Sequence, residues 1–445
     1  MDEAAKSIAS PYFDKAAFQK QIELIKTAAA KADETISYEA AHNPQILRAI
    51  SVIEDFLRKR HRLCYGGQAI NAHMPRRYKI YDPEKSVPDY DFFTPDQSSD
   101  IIEITRAMRK AGFTEISARE GIHEGTIKVY VNFNPVADVT QMDPALYKVL
   151  SAREFKSDGI SYLDADVLRM LMYLELSRPM GMVSRWEKVY ERLILLNEFV
   201  PIKSCRSEKM AAIMSEAETE TIMRKIIGQN RIFAGGDLVG YYRMALRKGR
   251  RVAANWLLGT RRPIFFYSPA AAADAAELRD ALREDGGGRL EFKKHAAVGD
   301  VVPVSYVATR GGEPVVIIIE ETACHSYYSI PLRFGENIRV ASLDTLIALF
   351  FSLSLLSKTM GGAATSLECA AQELVEISFR ARAAPEKFPF PFISLKCAGH
   401  QPTLASLVRE KVRRIKTVKQ KLKELLGETA PAPRKRRVRT NKRRA

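Results

Sequence analysis

Arg62-Leu-Cys-Tyr65-Gly66-Gly67-Gln68-Ala-Ile-Asn71, followed by Val87-Pro-Asp89-Tyr90-Asp91-Phe92-Phe93, is the stretch on which the reading of this chain turns. The first part predicts a short strand, a tight glycine bend and the start of a helix. The second predicts a strand. Side chains alternate faces along a strand, so Asp89 and Asp91 point one way while Tyr90 and Phe92 pack on the other side. Two carboxylates side by side repel each other and gain nothing structurally. A divalent cation would hold both, and Mg²⁺ suits such a site when waters and phosphates complete its octahedron.

A third carboxylate belongs with them. Asn134-Pro-Val-Ala-Asp138-Val-Thr140 reads as the end of a later β-like run. Three carboxylates on adjacent strands hold two metals about 3.5–4 Å apart. Gly66 and Gly67, lacking a Cβ, would then let backbone N–H groups approach a triphosphate. The same Asp-x-Asp spacing recurs in Asp164-Ala-Asp166, but there a helical run follows and N-capping accounts for it.

Composition bounds the rest. The chain has 445 residues, 46% hydrophobic and 27% charged, which suits a globular protein of two or three cores. A net charge of +16 points to a polyanionic partner. No apolar run is long enough to cross a membrane, and the N-terminus lacks a secretory pattern, so membrane and secreted readings are excluded. The five cysteines form no C-x-x-C pair, and free thiols in a reducing compartment are expected. H-E-x-x-H, P-loop and G-x-S-x-G motifs do not occur.

Along the chain, residues 1–60 read as helical, with Phe13, Phe18, Ile22 and Ile25 on one stripe and Ile46, Ile50, Ile53 and Leu57 on another. Short β-like runs fill about 61–140, helices return from Asp164 to Phe199, and a second mixed region spans 231–357. Val315-Val-Ile-Ile-Ile319 reads as a buried strand. Residues 404–426 predict a basic amphipathic helix, and 434–445, with eight basic residues and no acidic one, a disordered tail. The expected organisation is an N-terminal helical segment (1–45), a catalytic unit (46–160), a helical middle (161–230), a second mixed unit (231–400), and the basic helix and tail (401–445).

Gly-Gly, then Asp-x-Asp on a strand, then a lone Asp on a later strand resembles the DNA polymerase beta-like nucleotidyltransferases. The fuller wording of both stretches, with Met172-Tyr-Leu-Glu-Leu-Ser-Arg-Pro179 and Ser184-Arg-Trp-Glu-Lys-Val-Tyr-Glu-Arg192, resembles the poly(A) polymerase catalytic subunits of poxviruses and giant viruses. The resemblance covers roughly 45–200. It implies an α/β (α+β) fold: a nucleotidyltransferase palm with a mixed sheet, a helical middle region and a second, degenerate domain of the same kind. It implies template-independent transfer of AMP from ATP to RNA 3′ ends, with Mg²⁺ or Mn²⁺. Asp89 and Asp91 would ligate both metals, and Asp138 the one that activates the RNA hydroxyl. Gly66, Gly67, Arg169, Tyr173 and Lys188 would meet the nucleotide, with Trp186 a further candidate for stacking. Uridylation, oligoadenylate synthesis and a non-catalytic RNA-binding subunit are the alternatives. Self-pairing or a viral cap methyltransferase-like partner, and a location in the virion and host cytoplasm, are also implied. Gly67 and Asp89 stand farther apart than in most members, and the insert, His73 to Ser86, carries Arg76, Arg77 and Lys79. These either touch triphosphate or RNA or form an exposed basic loop.

The second mixed region repeats the first. Arg231-Ile-Phe-Ala-Gly235-Gly236 echoes Arg62 to Gly67, Ile264 to Pro269 echoes Asp91 to Pro95, Pro314 to Ile317 echoes Pro135 to Asp138, and Asp344 to Leu349 echoes Asp166 to Leu171. Ile317 stands where Asp138 would, and Arg262 to Ile264 where Asp89 and Asp91 would. A copy without these acids is expected to be catalytically dead.

Overall fold

A computed structural model describes residues 14–425, apart from 83, 203–204, 206–213, 261, 285–289, 299–300, 333–334, 357–359 and 361–362. The expected tail at 434–445 and Phe13 lie outside the described residues.

Two helices open the chain, α1 (Lys15–Ala41) and α2 (Pro44–Arg60). Asn43 starts α2 by accepting from the Gln45 and Ile46 amides at 2.9 and 3.3 Å, with Pro44 preset for the first turn. Its buried stripe is Ala49, Ile50, Ile53, Phe56 and Leu57: three of the four predicted positions with two additions, the fourth, Ile46, being only partly buried. The stripe predicted on α1 is instead exposed at Phe18, Ile22 and Ile25.

The first sheet follows: β1 (Leu63–Tyr65), α3 (Gly66–His73), β2 (Tyr90–Thr94), α4 (Gln97–Lys110), β3 (Ile116–Glu120), β4 (Thr126–Val131), β5 (Asn134–Gln141), α5 (Pro144–Ser151), β6 (Phe155–Ser157) and β7 (Ile160–Tyr162). Its seven strands run in the order β3-β4-β5-β2-β1-β7-β6. β2 lies antiparallel to β1 and parallel to β5. On β2, Tyr90 and Phe92 are buried and Asp91 and Phe93 are not, the alternation that was expected. Phe56 of α2 meets Phe92, with ring centroids 5.9 Å apart, so α2 covers the face opposite Asp91.

Helices α6 (Ala165–Leu176), α7 (Trp186–Phe199) and α8 (Glu216–Gly228) lead to the second sheet. It comprises β8 (Ile232–Phe233), α9 (Asp237–Lys248), β9 (Ile264–Ser268), α10 (Ala271–Glu284), β10 (Phe292–His295), β11 (Ser305–Arg310), β12 (Glu313–Glu320), β13 (His325–Pro331) and β14 (Asn337–Ala341). Then come α11 (Leu343–Ser354), α12 (Ala363–Ala383), the edge strand β15 (Cys397–Ala398) and α13 (Leu404–Leu425). The strand order is β10-β11-β12-β9-β8-β14-β13-β15. Position for position, with β15 appended, this is the order of the first sheet. The predicted strand at Val315–Ile319 is β12, buried throughout that run.

One ion pair is repeated as well. Arg62 grips Asp100 of α4 with two bonds, both 2.8 Å, and Arg231 grips Asp274 of α10 with bonds of 2.8 and 3.0 Å. Both carboxylates are buried. Such a two-pronged pair ties the strand start to the helix behind the sheet.

The two copies meet through α6 and α11. Helix α11 is buried along nearly its whole length, so the apolar run Leu346–Phe351 is core. Among the described residues no helix is long and apolar enough to cross a membrane. The expectation of free thiols is corrected: Cys205 is bonded to Cys369 and Cys324 to Cys397, and Cys64 is the free cysteine, buried on β1. The partners lie 164 and 73 residues apart, so local spacing carried no sign of them.

Candidate active site

Register assembles the site. Tyr65 of β1 pairs with Asp91 of β2, Asp91 with Asp138 of β5, and Asp138 with Lys128 of β4. Residues paired across neighbouring strands share a face. One rung of the sheet therefore reads Tyr65, Asp91, Asp138, Lys128, all turned away from α2. Asp89 lies just before β2 and is exposed, a correction to the expectation that it sits on the strand. Its carboxylate still acts on Asp91.

The glycine bend abuts this rung. Gly66 has φ +70°, and a Cβ there would stand 2.5 Å from Asp91 Oδ2. Only glycine permits both the left-handed backbone and that approach. Gly67 has a different neighbour from the one expected: the space beside it is filled by the Tyr81 ring, whose hydroxyl accepts from Arg192.

The electrostatics are those of crowded negative charge. Asp91 is pushed up to about 7 by burial first, then by the charges of Asp89 and Asp138. Asp89, though its residue as a whole is exposed, is raised by the crowding of protein around its carboxylate and by Asp138. Lys128 opposes both shifts, and its Nζ donates to Asp138 Oδ2 at 2.5 Å. Asp138 Oδ1 is buried with no hydrogen-bond partner among the described residues. Tyr65 and Thr140 hydroxyls bond at 3.0 Å beside the acids.

A cationic wall faces the rung. Lys188 feels Asp89 and Asp91, although burial, Arg192 and Arg185 together lower it. Arg185 in turn draws Asp91 downward. Arg185 and Lys128 were not singled out in the sequence. A lysine on an alternating strand looks ordinary until the register puts it opposite an aspartate.

Two expected nucleotide contacts fail. Arg169 is 1% exposed, and its guanidinium donates to Asp166 at 2.6 Å, to Asn197 at 2.8 Å and to the Leu196 and Val200 carbonyls. Tyr173 is also 1% exposed, beneath the Arg382 guanidinium. Both belong to the packing of α6 and α7, and neither can reach a nucleotide. Trp186 is half-buried and donates to the Glu175 carbonyl at 3.3 Å. In the insert, Arg76, Arg77 and Lys79 are exposed.

Among the described residues no three His, Cys, Asp or Glu side chains close around one point as a metal cage. The donor set nonetheless fits a hard cation: Asp91 and Asp89 raised by burial and by neighbouring carboxylates, one oxygen of Asp138 buried without a partner, and a lysine ammonium bound where positive charge is wanted.

The second sheet shows the same rung without the chemistry. Phe265, Ile317 and Val307 pair in the register of Asp91, Asp138 and Lys128. This moves the expected correspondence by one residue, since Phe265, and not Ile264, stands in the place of Asp91. A Cβ on Gly235 would collide with the Phe233 ring, so this bend faces packed side chains.

The poly(A) polymerase catalytic subunit family matches residues 51–182. A protein of Acanthamoeba polyphaga mimivirus named as a poly(A) polymerase catalytic subunit is 25% identical over 237 residues, covering 50% of this chain and 39% of its own length. A protein of the same description from African swine fever virus (strain Badajoz 1971 Vero-adapted) is 26% identical over 184 residues, 39% of this chain and 38% of its own length. The matched part thus spans about two-fifths of these relatives. The crystal structure of the Megavirus polyadenylate synthase superposes with a TM-score of 0.72 at 17% identity, over 94% of this chain and 86% of that one. The fold is shared across both sheets.

Proposed function

We propose that this chain, similar over its first sheet to viral poly(A) polymerase catalytic subunits, transfers AMP from ATP to the 3′ end of RNA without a template. The observation that carries the reading is the rung Asp91–Asp138 beside the Gly66 bend, with Asp89 close enough to raise Asp91. Asp91, Asp138 and Asp89 would hold two divalent cations, Mg²⁺ or Mn²⁺. Bound there, such ions supply Lewis acidity for deprotonating the RNA hydroxyl and for stabilising the leaving pyrophosphate. The chain's own residues do the rest. Asp138 accepts the hydroxyl proton or passes it to solvent, Lys128 fixes the orientation of Asp138, and Lys188 and Arg185 neutralise the triphosphate. The Gly66 bend lets the nucleotide approach the backbone.

The test is an extension assay with Mg²⁺ or Mn²⁺, a short labelled RNA and each nucleoside triphosphate alone. A ladder with ATP only is expected, and Asp138→Asn abolishes it. Ladders with other bases point to another nucleotidyl transfer. An RNA-binding subunit is the second reading, favoured by the lysine that already neutralises Asp138, and absence of any extension would select it. Self-pairing, or pairing with a cap methyltransferase-like protein, belongs to the same proposal and is read by sedimentation. So does a place in the virion and host cytoplasm.

A further inference from the structure

Between Asp237 and Asp274 the chain has seven Lys and Arg residues and no Asp or Glu. Four of them, Arg247, Lys248, Arg250 and Arg251, surround Gly249, whose φ of +62° ends α9. All four are exposed. Among the described residues Arg247, Lys248 and Arg250 enter no ion pair, while Arg251 donates to the Pro389 carbonyl at 3.1 Å and lies over the Phe390 ring. The helix dipole accounts for cations in the last turn of α9, namely Arg247 and Lys248. It does not account for Arg250 and Arg251, which lie beyond the cap. Like charges packed this closely repel and call for an external anion.

An aromatic ring completes the loop. Trp256, on the 3₁₀ turn Asn255–Gly259, is 40% exposed, its ring centroid 6.2 Å from that of Tyr241. The first copy builds the same device in the same place. Its loop leaves α3, the helix after the Gly-Gly bend, and carries exposed Arg76, Arg77 and Lys79 around Tyr78, which is 39% exposed. The second copy has apolar residues in place of the carboxylates and their lysine, yet it has cations and an aromatic in this loop. A loop that served only the reaction would have no such charge in the copy lacking the acids.

We propose that the α9–β9 loop binds single-stranded RNA, its phosphates on Arg247, Lys248, Arg250 and Arg251 and a base stacked on Trp256. The second copy thereby holds the strand whose end is extended at the first. This rests on RNA being the substrate and adds a site to that reading. Backbone contacts of this kind are blind to sequence, and stacking tolerates any base.

The test is fluorescence anisotropy of a labelled oligouridylate with the full chain over a salt series. Arg247→Glu/Arg250→Glu is expected to weaken binding about tenfold or more and to lower the slope of log affinity against log salt by about 1.4. Trp256→Ala is expected to cost roughly tenfold with the slope kept. Because all three positions are exposed, melting temperatures should stay at the wild-type value, which separates lost contacts from lost fold. Unchanged affinity and slope in the double variant overturn the proposal. So does binding of phosphatidylserine vesicles in place of RNA. AMP transfer, assayed in parallel, separates the two readings: patch-dependent binding without extension sinks only the polymerase, and extension with patch-independent binding sinks only this site.

Discussion

Asp91 carries a cost that only charge removal or a cation can relieve. Its carboxyl moves from near 4 in the unfolded chain to about 7 in the folded one. Between those values the folded chain holds a proton that the unfolded chain has released. Stability therefore falls as pH rises through that window, and the full penalty stands above 7. In chelator-treated protein, Asp91→Asn is expected to melt slightly above the wild type near pH 5 and several degrees above it near pH 8. A difference of equal size at both pH values would reject the assignment. Lys128 works the other way, drawing Asp89 and Asp91 down. Lys128→Met is expected to lower kcat/KM and to shift the acid limb of the pH–rate profile upward, with Lys128→Arg restoring both. A Met variant with an unmoved acid limb would leave Lys128 a packing residue.

At the scale of elements, the β1–α3 bend is the least replaceable piece. Gly66→Ala puts a methyl group 2.5 Å from Asp91 Oδ2 at a backbone angle L-residues avoid. The expected loss is about 1–3 kcal/mol of stability together with most of the activity, read by melting and by the extension assay. Retained activity would show that the bend does not position Asp91. Its counterpart β8–α9 is filled by Phe233, which leaves no room for a Cβ at Gly235 although no carboxylate stands there. Much of this was legible. Alternating Tyr90, Asp91 and Phe92 announced the strand, and the Gly-Gly pair announced the turn. Arg169 and Tyr173 misled because helical periodicity gives a face but not what lies against it. Asp166, Asn197 and Arg382 decide their surroundings, and two of these come from other elements.

For the whole molecule, the repeated Arg–Asp pairs give a matched experiment. Asp100→Ala and Asp274→Ala each leave a largely buried arginine unpaired, and each is expected to cost about 3–5 kcal/mol. If α6, α11 and α12 join both sheets into one cooperative unit, calorimetry shows one transition in each variant, shifted alike. Two separate transitions would mean that the halves melt independently.

The order of strands and bends was determined by the sequence alone, because alternation, glycine bends and apolar runs are local properties of the chain. So was the duplication, since local patterns survive copying even as side chains change. Which strand lies beside which, and in what register, was decided by the tertiary structure. That choice puts Lys128 opposite Asp138, Phe265 in the place of Asp91, and cysteines 164 residues apart into bonds. Long-range pairing depends on the packing of both sheets at once, and no window of sequence contains it.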